Sequence, residues 1–227
     1  MAFFSRQSAL QRVLNAAASQ RRLVSTLPSN SYIKVFDDPA TPGRYILSLL
    51  SSDPPNAALA LGTTNELPPS PRSFKENANF RKILDEVVAE HGSSDDFLKA
   101  QARAFVGPGG TSMAIAMQHS RHRRHAPTED PAVASHRVGG HIHLSDTRNP
   151  PEFGRIAWPE DILGSVEVDG EGDIIGRVEP SGTYRIVTNQ GILGLSPYMM
   201  GKLAERLRAE ESRWRESSWL RAGSNLI

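Results

Sequence analysis

The sequence contains no cysteine among its 227 residues. That absence excludes disulfide frameworks, CxxC redox chemistry, thiolate zinc sites and cysteine nucleophiles. Long apolar runs are missing as well: the longest candidate, residues 112–117, falls far short of the roughly 18 residues that a transmembrane helix needs. We therefore expect no transmembrane segment.

Familiar catalytic signatures are absent too. The chain has no GxSxG elbow, no HExxH pair, no GxGxxG after a strand and no kinase motif set. The glycine-rich run at 107–112 lacks the lysine of a phosphate-binding loop, and Ser145 and Ser165 have no base nearby in the sequence. No reaction and no cofactor is predicted from these patterns.

Acidic residues are missing from the start of the chain, where none precedes Asp37. The first 24 residues carry four arginines and an apolar stripe at helical spacing, namely Arg6, Arg12, Arg21 and Arg22 with Phe3, Leu10, Leu14 and Ala17. These features are typical of a mitochondrial transit peptide, and Arg22 shortly before Ser25 resembles a processing site. We predict a transit peptide at 1–24 and the mitochondrial matrix as the destination. The alternative is a frayed amphipathic helix of a cytosolic protein.

The remaining chain is mildly acidic. Without residues 1–24, the chain keeps 22 of its 26 basic residues and all 25 acidic ones. This balance gives no electrostatic footprint for nucleic acid, so no nucleic-acid partner is predicted.

Hydrophobic periodicity predicts one α+β domain at 25–217, followed by a loose tail at 218–227. Strand-like runs occur at 32–36, 44–50 and 57–61, and the first two form a predicted hairpin. Helical spacing at 77–90, a second helix capped by Ser93 or Ser94, and a C-terminal helix after Ser196 complete the pattern. Phe97 is predicted to lie on the buried face of the second helix, and Trp214 on the apolar side of the last one. We expect a mainly antiparallel sheet of about six or seven strands, with a helical pair and the C-terminal helix.

The segment 107–137 has no sustained period and is predicted to be a mobile loop. It holds three histidines at intervals of three, His119, His122 and His125, which is one spacing for metal ligands on a helix. Three arginines lie among them and no carboxylate does, so we favour a solvated basic loop.

Residues 140–146 alternate as a strand does. Ile142 and Leu144 are predicted to point one way, and His141 and His143 the other. Two histidines at this spacing can share a metal ion, or they can belong to a half-polar sheet face. No further ligand cluster follows, and we predict no metal site.

The segment 146–155, DTRNPPEFGR, is stiffened by two prolines and carries both signs of charge beside Phe153. Such a loop can present a binding site through Asp146, Arg148 and Arg155, or it can be a salt-bridged cover of the sheet. We expect Arg155→Ala to destabilise the fold more than it changes binding.

The block GHIHLSDTRNPPEFGRIAWPEDILGSVEVDGEGDIIG, continued by TYRIVTNQGILGLSPYM, resembles a group of fungal mitochondrial proteins that share a presequence and this C-terminal block. No established activity or catalytic residue accompanies the resemblance. It therefore supports the mitochondrial location and implies no mechanism.

Two hypotheses follow for the function. The first is an accessory or assembly protein that binds a protein partner of a larger mitochondrial complex through the 148–155 loop and the C-terminal helix. The second is an enzyme or small anionic-ligand binder whose candidate residues are His141, His143, Asp146, Arg148 and Arg155. In that case the arginines would hold a carboxylate or a phosphate.

Overall fold

The computed structural model describes residues 25–107, 139–152 and 155–224, with side chains as far as Ser217. The predicted transit peptide, Phe153 and nearly all of the predicted loop at 107–137, with its three histidines, lie outside these residues. The α+β prediction is confirmed, because the described part holds three helices and ten strands. None of those helices is long and apolar enough to cross a membrane.

The first sheet is antiparallel and uses five strands in chain order. Its strands are β1 (Ser25–Leu27), β2 (Asn30–Asp37), β3 (Tyr45–Ser48), β4 (Gly62–Thr64) and β5 (Lys75–Glu76). The predicted first hairpin is confirmed, since β2 pairs with β3 from Lys34↔Ser48 to Asp37↔Tyr45.

A second antiparallel sheet has three strands, β6 (Gly140–Ser145), β7 (Ile162–Val168) and β8 (Ile174–Pro180). A two-stranded ladder joins β9 (Val187–Thr188) to β10 (Gly191–Ile192). The strands are thus divided among three antiparallel sheets, and the largest has five of them. The first sheet ends at the two-residue β5, and the helices that follow it pack on the second sheet.

The apolar run at 57–61 is not the strand that its composition predicts. Leu59 and Leu61 are fully buried, but the backbone there forms turns. The Asn77 side-chain amide donates to the carbonyls of Ala57, Ala58 and Ala60 at 3.1, 3.0 and 2.8 Å. A side chain therefore satisfies carbonyl groups that a neighbouring strand would otherwise satisfy.

Helix α1 (Ala78–His91) buries the residues that its spacing predicts, namely Phe80, Ile83, Leu84, Val87 and Val88. A short 3-10 turn, Gly92–Ser94, separates it from α2 (Asp96–Val106). The N-cap of α2 is Asp95, whose carboxylate accepts from the Phe97 backbone N–H at 2.8 Å, so the prediction of a serine cap is wrong. Phe97, predicted to be buried, is 67% exposed.

Helix α3 (Pro197–Ser224) begins as predicted, because the Ser196 hydroxyl accepts from the Met199 backbone N–H at 3.1 Å. Its first half buries Met199, Met200, Leu203 and Leu207. Trp214, expected on the buried side, is 52% exposed. The apolar face of α3 therefore ends near Leu207.

One continuous hydrophobic core links both larger sheets to the three helices. Its members run from Leu27 in β1 to Leu207 in α3 and include Val166 in β7. Helix α1 contacts β7, β8 and α3, which places it at the centre of the packing. The second sheet therefore has one face on the helices and presents the other to solvent.

Candidate functional site

The two histidines of β6 lie on the exposed face of the second sheet. Ile142 and Leu144 are buried, which confirms the predicted alternation. His141 is exposed and lies opposite Glu167, whereas His143 is half-buried and lies opposite Ser165. Within the described residues, no group of three or more potential ligands is arranged to hold a metal ion.

His143 contacts a residue that the sequence did not connect with it. Its Nδ1 atom lies 2.8 Å from the Ser165 hydroxyl across the β6–β7 pairing. Burial, and then the nearby His141 charge, lower the pKa of His143. A base thus stands next to Ser165. Nevertheless, neither of the depressions described below is lined by this pair, and no carboxylate among the described residues hydrogen-bonds the His143 ring.

Asp146 is fully buried and serves as an acceptor for three donors. It accepts from the Arg148 backbone N–H at 2.8 Å, the Tyr184 hydroxyl at 2.7 Å and the Gly194 backbone N–H at 3.0 Å. Burial raises the pKa of the Asp146 carboxyl, and the Arg148 guanidinium and these hydrogen bonds oppose that rise. This carboxylate therefore joins the start of the 146–155 loop to two distant segments.

Arg148 is the centre of the same buried cluster, with only 4% of its side chain exposed. Its Nε donates to Asp161 Oδ1 at 2.8 Å, and its Nη1 lies 3.7 Å from Asp146 Oδ2. The guanidinium also donates to the carbonyls of Ile186 at 2.9 Å, Glu160 at 3.0 Å and Arg185 at 2.8 Å. Since the guanidinium is buried and each of its nitrogens already donates, it is not presented to a ligand anion at the surface.

Tyr184 completes the cluster and brings in α1. Its ring lies beneath two guanidinium groups, with the Cζ atoms of Arg81 and Arg148 at 5.0 and 5.3 Å from the ring centroid. Arg81 also donates to the Ser181 carbonyl at 2.6 Å and pairs with Asp85 at 3.0 Å. Burial, and then the Asp146 charge, raise the pKa of Tyr184 well above its ordinary value. Both arginines thus stabilise the 181–186 segment through cation–π contact and carbonyl bonds.

Gly194 makes the close approach of two loops possible. A Cβ atom there would lie 2.8 Å from Thr147 Oγ1, 2.9 Å from Asp146 Oδ1 and 3.0 Å from the Arg148 nitrogen. No side chain fits in that space. The glycine of the GILGL run is therefore required for the packing of the buried cluster.

Arg155 is far more exposed than Arg148. Its side chain is 76% exposed, and its Nε lies 3.6 Å from the Glu152 carboxylate. An exposed pair of this kind contributes little stability, which removes the physical basis for expecting Arg155→Ala to be destabilising. The structure thus brings Asp146 and Arg148 together in the interior, and it leaves the β6 histidines and Arg155 at the surface.

Directly above Arg148 the surface forms a groove, the Trp158 groove, made of two adjoining depressions of about 430 and 570 Å³. Both are lined by Glu160, Arg185 and Asn189. The first also has Pro71, Phe74, Glu76, Val187 and Thr188, and the second has Trp158, Pro159, Thr183 and Gln190. The sequence does not predict this site, because its lining residues come from three separate segments, 71–76, 158–160 and 183–190.

The floor of the groove is fixed by the buried cluster. Arg148 binds the carbonyls of Glu160 and Arg185 from below, and the Arg185 N–H donates to the Glu160 carbonyl at 3.1 Å. At one wall the Glu76 carboxylate accepts from the Ile186 N–H at 2.8 Å. At the other, the Thr183 hydroxyl donates to the Pro159 carbonyl at 2.7 Å. The backbone of the groove is therefore preorganised.

Four other side chains that line the groove have, in contrast, no polar partner among the described residues. Trp158 is 68% exposed, and the neighbouring Ile156 is 73% exposed. Among the described residues, none forms a hydrogen bond or an ion pair with the side-chain polar groups of Arg185, Glu160, Asn189 or Gln190.

Comparison with protein families, curated proteins and solved structures yields no match for this chain.

Proposed function

We propose that the protein is an accessory or assembly protein of a larger mitochondrial complex and that it binds a protein partner through the Trp158 groove. The observation that carries the proposal is that the exposed Trp158 lies beside Arg185, which forms no ion pair with any described residue. Both stand on a backbone that buried bonds hold in place. Asp146 and Arg148 then serve as the support of the binding surface.

The residue types in the groove are those that dominate protein–protein binding energy. Tryptophan, tyrosine and arginine are enriched among the residues whose truncation weakens complexes most. Trp158 supplies an apolar surface, and Arg185 with Asn189 adds polar groups next to it. This combination of an apolar centre and a polar border is the common anatomy of an interface.

The shape of the groove favours a macromolecular ligand over a small one. Small-molecule sites enclose about 70–90% of the ligand surface, whereas both depressions here are open to solvent. The anionic-ligand alternative relies on Arg148, whose donors are engaged, and on Arg155, which lies at the surface. We therefore prefer the partner hypothesis.

The mitochondrial part of the proposal is supported by the acid-free, arginine-bearing start of the chain. A C-terminal fluorescent fusion of the full chain should localise to mitochondria, and the same fusion without residues 1–24 should remain in the cytosol. Import of the shortened fusion would show that the leader assignment is wrong.

The partner is tested by affinity purification of the tagged full chain from mitochondria, followed by mass spectrometry. We expect a defined set of proteins to co-purify with the wild-type chain and to be lost with Trp158→Ala, because the tryptophan side chain provides the largest apolar contact in the groove. Thermal melting of the variant should be unchanged, since Trp158 is exposed.

Two further variants serve as controls. Phe97→Ala removes an equally exposed aromatic that lies outside the groove and should leave co-purification intact. Trp214→Ala tests whether α3 contributes to the same interface. Retention of every partner by Trp158→Ala and Arg185→Ala would refute the role of the groove.

A further inference from the structure

The Trp158 groove also indicates what kind of segment it binds, an inference that rests on the proposed function. Its lining changes along its length. Trp158 and Pro159 stand at one end, Phe74, Pro71 and Val187 at the other, and the polar side chains of Glu160, Arg185 and Asn189 lie between them. An occupant that contacts all of these groups must itself be apolar at both ends and polar in the middle.

The charges in the groove argue against a polyanion. Among the described residues that line the two depressions, Arg185 is the one cation, and the carboxylates of Glu160 and Glu76 line the groove with it. A nucleic acid, a phosphate cluster or an acidic lipid surface would be repelled by those carboxylates. A single carboxylate, in contrast, can form a bidentate pair with the Arg185 guanidinium, which makes no ion pair with any described residue.

The side-chain carboxamides of Asn189 and Gln190 are suited to hydrogen bonding with a peptide backbone. Asn189 and Gln190 both border the second depression, and each side chain offers donors and an acceptor that no described residue uses. Peptide bonds present the complementary acceptor and donor in one unit. An extended peptide exposes these groups, whereas a helix uses its own N–H and C=O groups internally.

We propose that the Trp158 groove binds an extended peptide segment of the partner in which one Asp or Glu side chain pairs with Arg185 and a nearby aromatic or proline residue packs on Trp158. The flanking Glu160 restricts the segment to a single acid at that point. Asn189 and Gln190 bind the peptide backbone next to it.

The test uses a phage-displayed library of random 12-residue peptides, selected on the purified full-length chain. Enriched sequences should share one Asp or Glu at a fixed distance from a Trp, Phe, Tyr or Pro. A synthetic peptide of that sequence should lose about tenfold or more in affinity for Trp158→Ala and for Arg185→Ala. Arg177→Ala and Phe97→Ala remove an exposed arginine and an exposed aromatic outside the groove and should bind as the wild type does.

Charge reversal makes the test specific to the ion pair. Arg185→Glu should reject the selected peptide and bind the version in which Lys replaces its acidic residue. Polyacidic winners, or winners that bind Arg185→Glu unchanged, would overturn the inference. So would a selection that yields no peptide. If no peptide is selected but Trp158→Ala still loses its co-purifying proteins, the partner docks as a folded surface, and the proposed function stands without this inference.

Discussion

The two ends of the 146–158 stretch use the same residue types for opposite purposes. At the first end, Arg148 pairs with Asp161 at 2.8 Å and has 4% of its side chain exposed. At the second, Arg155 pairs with Glu152 at 3.6 Å and has 76% exposed. Two arginines seven positions apart thus occupy the interior and the surface of one loop. The first holds the backbone of the Trp158 groove, and the second lies three positions before the exposed Trp158.

The difference shows that burial, and not residue type, decides what an ion pair does. A buried charge that loses its partner is left without solvation, so breaking such a pair costs several kcal/mol. An exposed pair exchanges one well-solvated state for another and contributes about 0–1 kcal/mol. The predictions below measure this contrast, from the largest expected effect to the smallest.

Arg148→Ala should destabilise the fold by about 3–5 kcal/mol, because it leaves buried Asp161 and Asp146 without their cation and removes one donor from each of three backbone carbonyls. The free energy of unfolding in urea, followed by circular dichroism, measures the loss. Arg148→Lys keeps the charge but not the forked donors, and it should recover only part of the stability. A loss below about 1 kcal/mol for the alanine variant would contradict the structural role of the cluster.

Tyr184→Phe should cost about 1–3 kcal/mol, since Asp146 Oδ2 loses the hydroxyl donor at 2.7 Å while the ring stays beneath both arginines. Urea unfolding again measures the change. The control is Tyr198→Phe, because Tyr198 is exposed and its hydroxyl should be dispensable. Equal effects of the two substitutions would show that the buried hydrogen bond contributes no more than an exposed hydroxyl does.

His143 lies between the two extremes and should give stability a modest pH dependence. Its pKa is lowered in the folded protein from the ordinary value of 6.5, so the unfolded chain takes up the proton first as the pH falls. The stability that depends on His143 is thus present above 6.5 and is lost as the pH falls from there through the lowered pKa. Urea midpoints at about pH 7.5 and about pH 5.5 should differ less for His143→Gln than for the wild type. An unchanged difference would refute the assignment.

Arg155→Ala should change the free energy of unfolding by less than about 0.5 kcal/mol, because its ion pair with Glu152 is exposed. The same urea titration tests it alongside Arg148→Ala. This expectation reverses the one drawn from the sequence, which was that Arg155→Ala destabilises the fold. A loss comparable to that of Arg148→Ala would show that exposure does not separate the two ends of the loop.

Local patterns in the sequence were sufficient for elements whose residues contact near neighbours or repeat with a clear period. The apolar spacing of α1, the β2–β3 hairpin, the alternation of β6 and the Ser196 cap of α3 are all confirmed. The 57–61 run and Phe97 show where the same reasoning failed. The apolar 57–61 run was predicted to be a strand, but the Asn77 amide binds its carbonyls in a turn. The apolar Phe97 was predicted to be buried, but it is exposed.

The sequence by itself determined the α+β class and the periodic faces of the helices and strands. It also identified Asp146 and Arg148 as candidate binding residues. Only the tertiary structure decided that these two are buried beneath the groove and that Arg155 is not. Arg148 meets Asp161 across 13 positions and Ile186 across 38, and Glu76 reaches the same groove from β5 of the first sheet. Such pairings depend on how whole elements pack. Packing decides which polar side chains are removed from water, and the local periodicity of the sequence does not predict which ones these are.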